Sequence, residues 1–219
     1  MKGNMSPARQ PKFKVLEEII NSVTHGVGAA LSIAGLTVLV VLASLKGDPW
    51  RIVAFSIYGA TLVCLYLAST LYHGISVPQV KRFFRRLDHA AIFLLIAGTY
   101  TPFVLVLFRG GWGWALFGFV WAAAAFGIAL KVAFLGRFEA VSIALYLGMG
   151  WAGVVVIKPV LATLSLPGLA LVAGGGVLYS LGVIFYLWER LPFNHAIWHL
   201  FVVAASTCHF FAMVFFVLP

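Results

Sequence analysis

The sequence predicts an all-α integral membrane protein, a bundle of seven transmembrane helices. Three observations predict it. Of 219 residues, 63% are hydrophobic and only 10% charged, which excludes both an ordinary soluble domain and a disordered chain. The apolar residues fall into seven runs of roughly the twenty residues that a helix needs to cross a bilayer. Short connectors rich in Gly, Pro and charge separate those runs and leave no room for a separate soluble unit.

Taken in order, residues 1–15 form a basic N-terminal tail carrying Lys2, Arg9, Lys12 and Lys14. The tail has neither the apolar core nor the cleavage site of a signal peptide, so the first apolar segment is expected to stay. Residues 16–219 form the membrane domain. Its segments run Ile19–Leu45, Trp50–Tyr72, Ala90–Phe108, Trp112–Phe134, Ala140–Ile157, Leu169–Trp188 and Ala196–Leu218. The breakers between them include Lys46-Gly47-Asp48-Pro49, Arg109-Gly110-Gly111, Lys158-Pro159 and Pro167-Gly168. Trp112, Trp114 and Trp198 read as interface anchors, and Gly174-Gly175-Gly176 as close helix packing or local bending. Cys64 and Cys208 fall inside spans, where two free thiols are expected.

The net charge of +9 would suggest nucleic acid in a soluble protein, but here it reports orientation. Alternate connectors place eleven basic residues on one side, among them Lys81, Arg82, Arg85, Arg86, Lys131, Arg137 and Arg190. Four, Lys46, Arg51, Arg109 and Lys158, fall on the other. The positive-inside rule therefore puts the N-terminus in the cytoplasm and, after seven spans, the C-terminus outside.

Five polar residues at segment ends carry the functional signal. Ser69 and His73 are spaced i, i+4, as are His195 and His199, so each pair shares a helix face about 6 Å apart along the axis. With Asp88 at the head of segment three, all meet at the cytoplasmic boundary. Three imidazoles leave a tetrahedral zinc one open position, the arrangement of a catalytic site. Such an ion lowers the pKa of a water to about 7 and polarises a carbonyl. Asp88 is suited to orient the water and move its proton, and Ser69 to donate to a developing oxyanion. Taken singly, each residue also reads as a snorkelling or capping group; their convergence on one depth favours the metal.

Glu17, Asn21 and His25 form a second stripe at i, i+4, i+8 on segment one. Support of the metal shell or a proton relay is one reading, and capping with interhelical hydrogen bonding is the other. His89 lies about 100° around the helix from Asp88 and is expected at headgroups or backbone. His209, about 15 Å from His199 along the helix, lies too far to share the ion.

Several stretches resemble the hemolysin III family, the bacterial branch of the progestin and adipoQ receptor family. They are Glu17 to Gly26 with Asn21 and His25, Ser69-Thr70-Leu71-Tyr72-His73, Leu87-Asp88-His89 through Pro102, and Pro192-Phe193-Asn194-His195-Ala196-Ile197-Trp198-His199. The resemblance implies seven helices with the N-terminus inside, in a bacterial plasma membrane. It also implies zinc on His73, His195 and His199, with Asp88 holding the water and Ser69 beside it. Related alkaline ceramidases imply hydrolysis of a lipid amide, and the bacterial members imply a part in membrane-lipid homeostasis.

The leading expectation is thus a zinc-dependent intramembrane hydrolase of a lipid amide or ester, with a membrane lipid as substrate and no nucleic-acid partner. The competing expectation is a non-enzymatic sensor of membrane fluidity, pinned by structural zinc. A pore-forming hemolysin fits less well, because no polar face runs through the spans. A pump or transporter would need acids along a pathway, whereas Glu17, Glu18, Asp48, Asp88, Glu139 and Glu189 all lie near segment ends. The last span lacks the lysine that a retinal protein requires.

Overall fold

The computed structural model describes residues 11–134 and 136–219. Among them the chain is helical throughout: α1 Pro11–Lys46, α2 Pro49–Gly74, α3 Pro78–Pro102, α4 Gly111–Ala133, α5 Glu139–Gly150, α6 Ile157–Thr163, α7 Leu166–Leu187 and α8 Asn194–Ala212. Short π-helical turns, Phe103–Leu107 and Met213–Val217, extend α3 and α8, and a 3-10 turn, Ala152–Val156, joins α5 to α6. Seven of the resulting helical stretches are long and apolar enough to span a membrane. α1 to α4 pack as successive neighbours, and α8 packs on α7 and α1.

The helices sort their residues in the opposite sense to a soluble bundle. On α1, Val15, Ile19, Val23, Val27 and Leu31 face outward at i+4 steps, with Val23 60% exposed. Asn21, His25 and Ser32 on the same helix are buried at 3% each. An outward apolar surface with polar groups turned inward is what a lipid solvent selects.

Helix ends differ from the apolar runs where polar residues continue the helical turn. The first ten residues of the expected tail lie outside the described residues, and its last five are helical, since α1 opens with Pro11 in its first turn. Likewise α3 begins at Pro78, twelve residues before its apolar run. Asp88 accordingly lies well inside α3 and not at its head. The fifth span is broken: Pro159 has no N–H and crowds the carbonyl one turn earlier, and the backbone ahead of it tightens into the 3-10 turn.

The core depends on close approaches at glycine. A Cβ on Gly98 would stand 2.1 Å from Thr61 Oγ1, and one on Gly175 would stand 2.4 Å from His209 Nε2. Within the triple-glycine run only Gly175 has this role, since a Cβ on Gly174 would meet nothing. Trp112 and Trp114 are exposed at 67% and 47%, as interface anchors are. Trp198 is different. Its ring packs over Gly182 and beside Tyr186 at 5.9 Å, inside the bundle, because position 198 turns toward α7. Cys64 and Cys208 are both free.

Gly98→Ala is expected to destabilise the protein by about 1–3 kcal/mol through overpacking against Thr61. The paired change Thr61→Ala should recover most of the loss, as thermal unfolding in detergent would show.

Candidate metal centre

His73 ends α2, and His195 and His199 open α8. Phe193 precedes α8 in a left-handed conformation, φ 57°, which turns the chain sharply so that His195 enters at once on the inner face. The ring centroids lie 5.1 Å (His73 to His195), 5.0 Å (His73 to His199) and 4.7 Å (His195 to His199) apart. One nitrogen from each ring falls within 4.8 Å of the others. The three histidines are thus close enough to bind a metal ion.

Their hydrogen bonds decide which nitrogens are available. His73 Nδ1 lies 2.9 Å from Glu18 Oε2. An ionised carboxylate only accepts, so Nδ1 carries the proton and Nε2 keeps its lone pair. His199 Nδ1 donates to the Asn21 carbonyl at 3.3 Å, with the same consequence. His73 Nε2 and His195 Nε2 are both buried with no hydrogen-bond partner. A buried imidazole nitrogen without a proton or a partner is costly. A divalent ion bound by the three rings would satisfy it, and imidazole donors suit zinc.

Glu18 escaped the sequence reading, which placed its neighbour Glu17 on the functional stripe. It also accepts from Lys81 Nζ at 2.9 Å, and Lys81 donates on to the Tyr72 carbonyl at 2.9 Å. One carboxylate therefore ties α1 to His73 of α2 and to the start of α3. The signal available in the sequence was His73 itself, because a metal-ligating histidine needs an acceptor for its second nitrogen.

Asn21 and His25 lie against the cluster, and Glu17 against the chain at its edge. The His25 ring stacks on His199 at 3.5 Å, nearly parallel, although neither His25 nitrogen has a hydrogen-bond partner. Asn21 contributes its backbone carbonyl and leaves its side-chain oxygen unpaired. Glu17 faces the backbone N–H of His195 at the N-terminus of α8, where a carboxylate is favoured.

Asp88 is buried on α3 within electrostatic reach of His73 and close to Ser69, outside the group of three histidines. Ser69 Oγ is fully buried and forms no hydrogen bond of normal geometry. His89, expected at headgroups or backbone, is turned by its helical offset into the bundle. There it lines a cavity and interacts with Lys131 and Glu139. His209 is buried elsewhere, its Nε2 donating to the Val172 carbonyl at 3.1 Å.

Two spaces meet at the histidines. An elongated cavity of about 270 Å³, mostly apolar, runs from Asp88, His195 and His199 to Leu164 and Leu169 near the other end of the bundle. A polar vestibule of about 470 Å³ touches His73 and His195 from the helix-end side and is lined by Glu17, Glu18 and Asn194.

The pattern of Haemolysin-III-related proteins matches residues 13–210. The chain belongs to that family. Hemolysin-3 of Bacillus cereus is 51% identical over 205 residues, covering 94% of each chain. A Hemolysin-3 homolog of Bacillus subtilis (strain 168) is 46% identical, covering 93% of this chain and 96% of its own. The human monocyte to macrophage differentiation factor is 31% identical over 90% of this chain and 83% of its own. The matched residues thus run from α1 into α8, and the histidine cluster lies within that range.

Glu18→Gln is expected to weaken metal binding by about 10–100-fold, since the partner of His73 then loses its charge. Competition against a chromophoric chelator measures the loss. An unchanged affinity would show that Glu18 serves only the contact with Lys81.

Proposed function

We propose that this protein is a zinc-dependent hydrolase of a membrane-lipid amide or ester. The observation that carries the reading is the position of the three histidines between two spaces, with Asp88, His195 and His199 lining an apolar cavity and His73 and His195 a polar vestibule. Hydrolysis inside a membrane needs an acyl chain and a water at one point, and those two spaces supply them separately.

His73 and His199 would hold zinc through Nε2, and His195 through its unpartnered Nε2. When bound, zinc supplies polarisation of the carbonyl and acidification of water. The carboxylate of Asp88 receives the proton of the attacking water and returns it to the leaving amine or alcohol. Ser69 Oγ–H, buried close to Asp88, donates to the carbonyl oxygen as charge develops there. Burial of Asp88 keeps bulk water from competing for that proton.

A lateral route for the lipid is supported by Trp151 and Val154. Both line the cavity and are also exposed on the outer surface, at 42% and 56%. Trp151 Nε1 donates to Ser180 Oγ at 3.1 Å, bridging the opening between α5 and α7. The excess of basic residues on the connectors at the histidine end supports placing that end, and the vestibule, in the cytoplasm of a bacterial plasma membrane.

A structural reading of zinc has one observation in its favour. Through Glu18 and the Asn21 carbonyl, α1 already ties the rings of His73 and His199 together. An ion there would lock α2 and α8 even without chemistry.

Protein purified in detergent without added metal is expected to carry about one zinc per chain, lost in His73→Ala and in His199→Ala. Wild-type protein incubated with total bacterial lipid should release free fatty acid detectable by mass spectrometry. Asp88→Asn should release at least about 100-fold less while keeping its zinc. Equal release from Asp88→Asn, or none from zinc-loaded wild type, would reject the hydrolase and leave the structural pin.

A further inference from the structure

A second polar cluster, on helices that supply no metal ligand, faces the same cavity. Lys131 of α4 has a side chain only 1% exposed and donates to Glu139 Oε2 of α5 at 2.7 Å. The hydroxyl of Tyr186 on α7 donates to Glu139 Oε1 at 2.7 Å. Tyr146 donates to the His89 carbonyl at 2.9 Å, closing the cluster against α3. A charge inside a membrane span is rarely retained without a use. The hydrolytic mechanism employs none of these groups.

The accessible part of the cluster defines what it can bind. Lys131 is sealed behind the carboxylate, so its ammonium holds Glu139 ionised without itself reaching a ligand. The Glu139 side chain is 38% exposed. It lines both the apolar cavity and the polar vestibule, as among the described residues only Tyr186 and His195 also do. The ring of Tyr186 lies 5.8 Å from that of His195. An ionised carboxylate with one partner on each oxygen retains lone pairs for a further donor and has no proton to offer an anionic oxygen.

We propose that Glu139, fixed by Lys131 and Tyr186, is a headgroup subsite that selects lipids carrying hydroxyl or ammonium donors and disfavours anionic phosphate headgroups. It rests on the lipid-hydrolase reading for calling that ligand a substrate. The polar head sits at Glu139 where cavity and vestibule meet, the acyl chain runs into the cavity, and the bond between them lies beside His195. Glu139 is thereby a specificity-determining residue and takes no part in bond cleavage.

Binding of ether probes tests the subsite without requiring hydrolysis. The probes are 1-O-dodecylglycerol, its 2,3-dimethyl ether and dodecylammonium, each titrated into the detergent-solubilised full chain while tryptophan fluorescence is followed. Wild type should bind the glycerol ether or the ammonium at least about tenfold more tightly than the dimethyl ether, the better of the two identifying the donor. Glu139→Gln should erase the preference. Because that change leaves Lys131 buried and uncompensated, the double variant Lys131→Leu with Glu139→Leu provides a second arm. It should bind all three probes alike. Equal binding of the probes by wild type, or an undiminished preference in a folded double variant, would overturn the subsite. A preference that depends on Glu139 in a protein that releases no fatty acid would keep the site and reject only the reaction.

Discussion

Glu18 Oε2 holds His73 Nδ1 and Lys81 Nζ at 2.9 Å each, and much of the histidine end of the bundle follows from that one carboxylate. In a membrane, a polar side chain turned outward meets lipid and one turned inward must find a partner. α1 resolves this by giving its lipid face to Val, Ile and Leu and its inner face to Glu18, Asn21 and His25. Those three reach α2 and α8, at His73 and His199. The result is a polar patch in which two histidines are proton donors on one nitrogen and lone-pair donors on the other, aimed at a shared point.

The same constraint explains why the cavity lies on the other side of the cluster. α1, α2 and α3 are packed tightly through small residues, with Gly98 against Thr61 and Gly28 against the Tyr66 ring. α5 cannot pack in that way, because the 3-10 turn that precedes Pro159 interrupts it at mid-span. Space remains between α3, α5 and α7, and apolar side chains line it. Thus α1, α2 and α8 build a closely packed half that places the imidazoles, and α5 to α7 line the cavity beside it.

The seven spans and the convergence of the three histidines were legible because both depend on simple periodicities. Twenty apolar residues make a span, and an i, i+4 pair makes a face. Helix ends were less legible, since α1 and α3 continue through amphipathic stretches such as Lys81 to Leu87 that a search for apolar runs excludes. Glu18 was hidden by its neighbour: steps of four residues pick out Glu17 with Asn21 and His25, although Glu18, three residues before Asn21 and seven before His25, shares their face and reaches α2. The Lys131–Glu139 pair was hidden for another reason. The two residues are separated by a turn and belong to different helices, and no periodicity within one helix connects them.

That pair also bears on orientation. Lys131 counts among the eleven basic residues that the sequence assigns to one side, yet its side chain is 1% exposed and ion-paired, so it cannot touch a headgroup. Lys81 is engaged too, but on the exposed rim, where its charge still acts on the membrane surface. Setting Lys131 aside leaves ten basic residues against four, and the bias stands. The distinction has a physical basis, since a lysine sealed inside the bundle carries its counterion with it and is electrically neutral to the bilayer. Of the charges on α4 and α5, the one that faces neither lipid nor bulk water is thus the one whose position follows from the carboxylate it stabilises.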